Sequence, residues 1–354
     1  MKHIIRLMIA GFMLSGMGSG FARADNHDTD TGETATTGAS PANGEATEDE
    51  PGVDGAGHEI VIGAGAVSGV YFPAAGAICR VITAGNAETR CLVESNANSS
   101  INIERLTSGL LDFAIVQSDW LMHAARGTNL FQANGPDESL RAVMALHAEP
   151  LTLIVRTGAD IAGPADLKGK RISVGPPFTY QRVLLETLLR AWDIDTDDLA
   201  LVQEITATEQ FAALCAGDID AGAIVTAHPS PALADAMRRC DLKLAPIAGD
   251  ELNELLAARP ELSSAVIPGG LYEGVPNAVP TFGLRAILAS TVNVEDSLVE
   301  QVTGAVLDAM IEFTGQHPAL ASITTDSMTS ASIALPLHPG AKAAFRARGL
   351  LPAE

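Results

Sequence analysis

Basic residues are scarce in this chain of 354 residues. Its 22 Lys and Arg stand against 43 Asp and Glu, which gives a formal net charge of -21 at pH 7. Nucleic acids and anionic membranes attract basic proteins and repel acidic ones. We therefore expect neither nucleic acid nor an anionic lipid surface as a partner. A negatively charged ligand would need local attraction, such as that of a helix N-terminus.

Several catalytic and metal-binding motifs are also missing. The chain has four cysteines and no Cys-x-x-Cys, which argues against a thioredoxin-like redox site and against a zinc knuckle. Neither the G-x-S-x-G turn of many hydrolases nor the H-E-x-x-H helix of metalloproteases occurs in the sequence. These absences favour a protein that is not an enzyme and that uses neither a cofactor nor a metal.

After the N-terminus, no apolar run approaches the roughly 20 residues that a membrane span needs. Residues 1–24 combine Lys2 and Arg6 with a short apolar stretch and an Ala-x-Ala site that ends at Ala24, which is typical of a cleaved signal peptide. Residues 25–57 contain no Lys or Arg and almost no large apolar side chain, so they predict a disordered acidic linker. We expect an exported, periplasmic protein.

The rest of the chain has the same α/β outline twice. Strand and helix patterns alternate in both halves, and the apolar segments 151–156 and 281–288 connect them. Such alternation predicts parallel sheets covered by helices. We predict a two-lobed α/β fold of the periplasmic-binding-protein type, close to type II, with the ligand cleft between the lobes. Lobe I would comprise residues 58–148 and 280–354, and lobe II residues 149–279.

Residues 92–119 are the most informative stretch, because they predict a strand, a polar turn, a helix, a second strand and a second polar turn. Asn98 and Ser99 are helix-capping residue types in the first turn. Gln117 and Ser118 follow the second strand. Ligands of open α/β sheets bind beyond the carboxyl ends of the strands. We therefore predict that these four residues contact a ligand, with ordinary helix capping as the alternative.

Lobe II has corresponding candidates. Thr179, Tyr180 and Gln181 lie where a strand is predicted to pass into a helix, and Tyr180 is one of only three tyrosines. A tyrosine at such a turn suits the wall of a ligand site or a hydroxyl donor. His228 follows the apolar strand 221–225 and is either a ligand contact or a hydrogen-bonded turn residue.

In an exported protein, four cysteines predict two disulfides, for which three pairings exist. Proximity along the sequence favours Cys79 with Cys91 and Cys215 with Cys240. Each bond would then join a helix to a strand within one half of the chain.

Six segments together resemble the TAXI class of solute-binding proteins, which serve TRAP transporters. The segments follow the order of that family and extend over nearly everything after His58. They are Gly65–Pro73, Glu94–Ser99, Ala114–Asp119, Asp166–Gly175, Gly217–Ala221 and Leu337–Ala341. The resemblance implies a periplasmic receptor that closes on a small organic anion or amino acid, similar to glutamate or 2-oxoglutarate. It also implies delivery of that solute to the membrane subunits of a TRAP transporter, and we expect the receptor to be a monomer.

The resemblance further places residues in three ligand loops of lobe I. Ser68, Gly69 and Tyr71 fall in the first loop. Asn98 with Ser99 and Gln117 with Ser118 fall in the second and third loops. In two turns, residues 96–99 and 178–181, this chain has larger side chains than the family pattern, which leaves the identity of the ligand open.

Two other functions remain as alternatives. A receptor of this kind can serve a signalling partner instead of a transporter. A nicotinamide or flavin oxidoreductase is suggested by Gly63 and Gly65 after the first strand, but Ser68 occupies the third glycine position of that fingerprint.

Overall fold

The structure is a computed structural model, and it describes residues 59–85, 88–177, 179–329 and 335–352. The predicted signal peptide (1–24) and acidic linker (25–57) lie outside the described residues. Within the described part of the chain, no helix has the length and apolar character needed to cross a bilayer.

Strands and helices alternate along the described residues, as the sequence predicts. The strands are β1 (Glu59–Ala64), β2 (Arg90–Ser95), β3 (Phe113–Gln117), β4 (Leu140–Arg156), β5 (Arg171–Ser173), β6 (Leu201–Gln203), β7 (Ala221–Val225), β8 (Leu242–Ala245), β9 (Ser263–Ile267) and β10 (Val279–Thr291). The helices are α1 (Tyr71–Gly85), α2 (Ser99–Thr107), α3 (Ser118–Arg126), α4 (Tyr180–Ala191), α5 (Ala207–Ala216), α6 (Pro231–Arg239), α7 (Asp250–Ala258), α8 (Asp296–Asp308), α9 (Met310–Gly315), α10 (Thr325–Met328) and α11 (Pro339–Ala347).

The sheet of lobe I has the strand order β2-β1-β3-β10-β4. Strand β1 pairs in parallel with β2 and β3, and β10 runs antiparallel to β3 and β4. Alternate residues of β3 enter two separate cores: Phe113 and Ile115 pack with α1 and α8, whereas Ala114 and Val116 pack with α2 and α3. Both faces of the sheet are buried, which explains why β3 is a continuous apolar run.

Lobe II repeats this arrangement around β5, which pairs in parallel with β6 and β7. The second half of β4 pairs antiparallel with β7 and β8. Helix α4 covers one face of this sheet, where Leu185 and Leu188 are buried, and helices α5 and α6 cover the other. The fold is therefore a two-lobed α/β architecture of the predicted class.

Two long strands connect the lobes. The sequence predicts separate segments at 140–146 and 151–156, but the structure forms one 17-residue strand, β4. Strand β4 pairs with β10 as far as Pro150 and with β7 from Leu151 onward. The two strands approach closely at Gly283, where a Cβ atom would lie 2.3 Å from the carbonyl oxygen of Glu149. Only glycine fits this crossing without displacing the backbone.

Both predicted disulfides are present. Cys79 bonds to Cys91, which joins α1 to β2, and Cys215 bonds to Cys240. The predicted helix-to-strand link is wrong for the second bond, because Cys240 caps the C-terminus of α6. That bond therefore joins helices α5 and α6.

Candidate functional site

A group of polar side chains lies where the two lobes meet, and three members come from lobe I and the adjoining part of β4. Tyr71 begins α1, Gln117 ends β3, and Glu149 lies in β4 beside the crossing with β10. The Gln117 side-chain amide donates a hydrogen bond of 2.6 Å to the Glu149 carboxylate. The Tyr71 ring packs edge-on against the His147 ring, with 5.6 Å between the ring centroids. The start of α1 and the end of β3 thus both approach Glu149.

Lobe II contributes Tyr180, the first residue of α4. Its hydroxyl lies within hydrogen-bonding reach of the carboxyl of Asp119 in α3. Its ring packs against Trp120, with 6.1 Å between centroids. Tyr180 therefore connects the start of α4 in lobe II with the start of α3 in lobe I.

A cavity of about 350 Å³ opens beside this contact. That volume lies at the small end of the range typical of ligand pockets. Arg259 lines the cavity and pairs with the carboxylate of Glu261. The lining includes residues of both lobes, among them Asp119, Trp120, Thr179, Tyr180, Arg259 and Glu261.

Burial perturbs the acidic groups at this junction. It raises the pKa of Asp119 to about 6, since a carboxylate removed from water is disfavoured relative to the neutral acid. Burial also raises the pKa of Glu149, and the hydrogen bond from Gln117 opposes that shift. Burial and the charge of Glu149 raise the pKa of Tyr71 well above its usual value. The two carboxyls and the phenol thus influence one another electrostatically.

His147 is neutral in this setting. Burial, and then the positive charge of Arg285, lower its pKa to about 3. Its Nε2 lies 3.9 Å from the nearer Glu149 oxygen, which is too long for a hydrogen bond. His147 therefore does not neutralise Glu149.

Several buried polar atoms at the junction have no hydrogen-bond partner among the described residues. They are Asp119 Oδ1 and both ring nitrogens of His147. Buried polar atoms in native proteins nearly always have a protein or water partner. Their concentration here indicates a place where a bound molecule or ordered water completes the hydrogen bonds.

Other predicted site residues are engaged within the protein. Ser99 Oγ accepts from the Gln117 backbone N–H at 3.2 Å. Ser118 is 1% exposed, and its hydroxyl donates to the Glu261 carbonyl at 2.9 Å and accepts from the Arg285 backbone N–H at 3.2 Å. Both polar functions of the Ser118 hydroxyl are thus used, which favours a bracing role over ligand contact.

Four predicted residues border the junction as turn or cap groups. Asn98 caps α2, because its side chain accepts from the Ile101 N–H. Thr179 caps α4 in the same way. Ser68 and Gly69 are exposed in the turn before α1, where the Gly69 N–H donates to a backbone carbonyl at 2.8 Å.

The two remaining lobe II predictions have different surroundings. Gln181 packs over Gly175, and its buried Nε2 has no partner among the described residues. His228 uses both ring nitrogens: Nδ1 lies 2.5 Å from the Tyr272 hydroxyl and Nε2 lies 2.9 Å from Thr152 Oγ1. Of the two interpretations of His228, the structure favours the hydrogen-bonded turn residue.

Sequence reasoning missed Glu149 and His147 and gave Asp119 a different role. The polar turn after β3 predicts Asp119 as the N-cap of a helix that starts at Trp120. The structure instead begins α3 at Ser118, which places Asp119 in the first turn of the helix. A signal for Glu149 does exist, since His147 and Glu149 interrupt the apolar middle of β4, residues 142–151. Charged residues at the middle of a buried strand are rare without a partner or a function.

The described residues contain no group of three or more His, Cys, Asp or Glu arranged to hold a metal ion. The groups that the junction presents between the two lobes are hydrogen-bonding side chains and carboxylates.

Two solved structures are similar to this chain. The periplasmic aliphatic sulphonate binding protein SsuA from Escherichia coli is 14% identical, with 83% of this chain and 84% of that chain covered and a TM-score of 0.45. Substrate binding domain 2 of GlnP from Lactococcus lactis is also 14% identical, with 75% and 97% covered and a TM-score of 0.43. The model of the NMT1-like family matches residues 62–349. That match extends over well more than half of the sequence, and the chain belongs to the NMT1-like family.

Proposed function

We propose that this protein is a periplasmic solute-binding receptor that holds a small organic anion or amino acid between its two lobes. One observation carries the proposal: Tyr71 and Gln117 from lobe I and Tyr180 from lobe II converge on a junction with unpartnered buried polar atoms. An adjacent cavity of about 350 Å³ has room for a small solute. An enzyme would need a nucleophile, metal or cofactor motif, and the sequence offers none that is complete.

Helix N-termini supply the attraction for a carboxylate in this proposal. Helices α1, α2 and α4 begin beside the junction, and none has an acidic residue in its first turn. Their first N–H groups and the positive ends of their dipoles suit a negatively charged group. An acidic protein is thereby able to bind an anionic group without using a surface patch of Lys or Arg.

Closure would occur about the two crossing strands, near 148–151 in β4 and 279–282 in β10. The solute contacts both lobes only in the closed state, so its binding free energy shifts the equilibrium toward closure. A membrane partner then distinguishes the loaded receptor by its shape. From the resemblance to TAXI proteins, we propose the membrane subunits of a TRAP transporter as that partner. The lobe boundaries given above are part of this proposal.

A thermal-shift series tests the receptor function. The exported protein is melted with amino acids, dicarboxylates, 2-oxo acids, sugars and NAD. A ligand that binds only the folded state stabilises it by about 2.7 kcal/mol at one hundred times its Kd. We expect a large shift with one small amino acid or organic anion. A shift with NAD alone would contradict the receptor function and support the oxidoreductase.

A further inference from the structure

Glu149 is a largely buried carboxylate that has no cationic partner among the described residues. Its side chain is 15% exposed, and it accepts a hydrogen bond from the neutral amide of Gln117. No described Lys or Arg lies within ion-pair distance of it, and the neighbouring His147 is neutral. A carboxylate removed from water is costly unless a positive group accompanies it. The described residues supply no such positive group at this position.

A second carboxyl at the junction, that of Asp119, also has no cationic partner among the described residues. Asp119 is 6% exposed, and its Oδ1 atom has no partner among the described residues. It forms no ion pair with any described Lys or Arg. It lies close enough to Glu149 for each charge to disfavour the other. Two carboxylates without a cationic partner at one junction strongly favour the binding of a positive charge between them.

Two other side chains, His147 and Tyr71, place buried polar atoms at the same junction. His147 is 1% exposed, and neither of its ring nitrogens has a partner among the described residues. The buried Tyr71 hydroxyl lies within hydrogen-bonding reach of the Glu149 carboxylate, and its oxygen can still accept a hydrogen bond from a ligand. Such atoms point to a molecule that belongs at this position, because native proteins rarely leave them unpaired.

We propose that the solute carries a protonated primary amine, and that this ammonium group binds between Glu149 and Asp119. An ammonium group has three N–H donors and no acceptor. Glu149, Asp119 Oδ1 and the Tyr71 hydroxyl oxygen supply three acceptors, and the Tyr71 ring adds an aromatic surface that favours cations. This inference rests on the proposed receptor function and narrows it: the solute is an amino acid rather than a dicarboxylate or 2-oxo acid.

The test uses pairs of solutes that differ only at the amine. L-glutamate is compared with 2-oxoglutarate, L-alanine with pyruvate, and L-leucine with 4-methyl-2-oxopentanoate. The full exported protein is first unfolded in guanidinium without reductant and refolded, which removes any bound solute and preserves the disulfides. Isothermal titration calorimetry then gives Kd at about pH 7.5, where amino acids are zwitterions. We expect one amino acid to bind at least about 30-fold more tightly than its oxo acid, as for a buried charge pair.

Glu149→Gln removes the charge and keeps the shape. We expect this variant to weaken binding of that amino acid by about 30-fold or more and to leave weak binding of the oxo acid unchanged. The exposed Glu104→Gln variant is the matched control and should bind as the wild type does. If Glu149→Gln fails to fold, Asp119→Asn serves for the same comparison.

The possible results distinguish failure of the ammonium site from failure of the proposed receptor function. If oxo acids bind as tightly as amino acids, or if Glu149→Gln binds the amino acid with unchanged affinity, the ammonium site is overturned and the receptor function stands. If no member of either series binds, the receptor function for these solutes fails, and the ammonium site fails with it.

Discussion

The Gln117 side-chain amide donates a 2.6 Å hydrogen bond to the Glu149 carboxylate, across 32 residues of sequence. This bond joins the end of β3, where the sequence predicts a ligand contact, to the strand that passes between the lobes. Glu149 has no described Lys or Arg as a partner. Gln117 thus holds the carboxylate in place without neutralising it, which suits a site whose charge is completed by a ligand.

Gln117→Ala should weaken solute binding by about 10-fold or more, because hydrogen bonds to charged groups contribute roughly 1.5–3 kcal/mol. The measurement is calorimetric titration with whichever solute gives the largest thermal shift. Gln132→Ala, at an exposed position, is the control and should leave Kd unchanged. An unchanged Kd in Gln117→Ala would remove this residue from the site.

Ser118→Ala should destabilise the fold by about 1–3 kcal/mol, since it leaves the Arg285 N–H without its acceptor and the Glu261 carbonyl without its donor. Urea unfolding without solute measures the loss. Ser108→Ala removes a hydroxyl at an exposed helix end and should change stability by less than about 0.5 kcal/mol. Equal effects of the two variants would mean that Ser118 does not brace the two lobes.

Asp119→Asn should stabilise the solute-free protein in a way that depends on pH. Burial raises the pKa of Asp119 to about 6, so the folded state binds this proton more tightly than the unfolded state does. The carboxyl therefore lowers stability as the pH rises from about 4 through 6. We expect a gain of about 1–3 kcal/mol for the variant near pH 8, which disappears near pH 4.

Denaturant unfolding at several pH values checks this expectation. The exposed Asp218→Asn variant should show no comparable dependence on pH. If the difference in unfolding free energy between Asp119→Asn and the wild type stayed constant across the pH series, it would contradict a raised pKa for the buried Asp119 carboxyl.

Tyr272→Phe should destabilise the protein by about 1–3 kcal/mol. The Tyr272 hydroxyl accepts from the Ser230 N–H at 2.7 Å and contacts His228 Nδ1 at 2.5 Å, so its loss leaves both groups unpaired. Tyr71→Phe is the comparison. Among the described residues, its hydroxyl lies within hydrogen-bonding reach of Glu149 only, so solute-free stability should fall less than in Tyr272→Phe while amino-acid binding weakens. Urea unfolding and calorimetry measure the two effects.

His228 should make the fold sensitive to acid. Burial lowers its pKa to about 4, below the usual value near 6.5. The unfolded state therefore binds the proton more tightly, and stability is lost as the pH falls from about 6.5 to 4. His228→Gln should flatten this part of the curve of unfolding free energy against pH, although it lowers stability at neutral pH. An equally steep curve in the variant would assign the acid sensitivity to other groups, such as His147.

The sequence by itself determined the features that depend on nearby residues. Alternating apolar and polar segments determined the α/β elements of both lobes, and the capping side chains of Asn98 and Thr179 determined where α2 and α4 begin. Short separations of 12 and 25 residues identified both disulfides. These features are local because periodicity, capping and short loops act within a few turns of the chain.

Only the tertiary structure decided which side chains meet. Ser118 reaches the Glu261 carbonyl across 143 residues, and Tyr180 reaches Asp119 from the other lobe. Both contacts depend on how β4 and β10 cross, and that crossing requires the close approach at Gly283. No local pattern encodes such a crossing, since it arises from the packing of whole sheets. The same packing decides that Ser118 becomes a brace and that Glu149 becomes an unpaired charge at the centre of the candidate site.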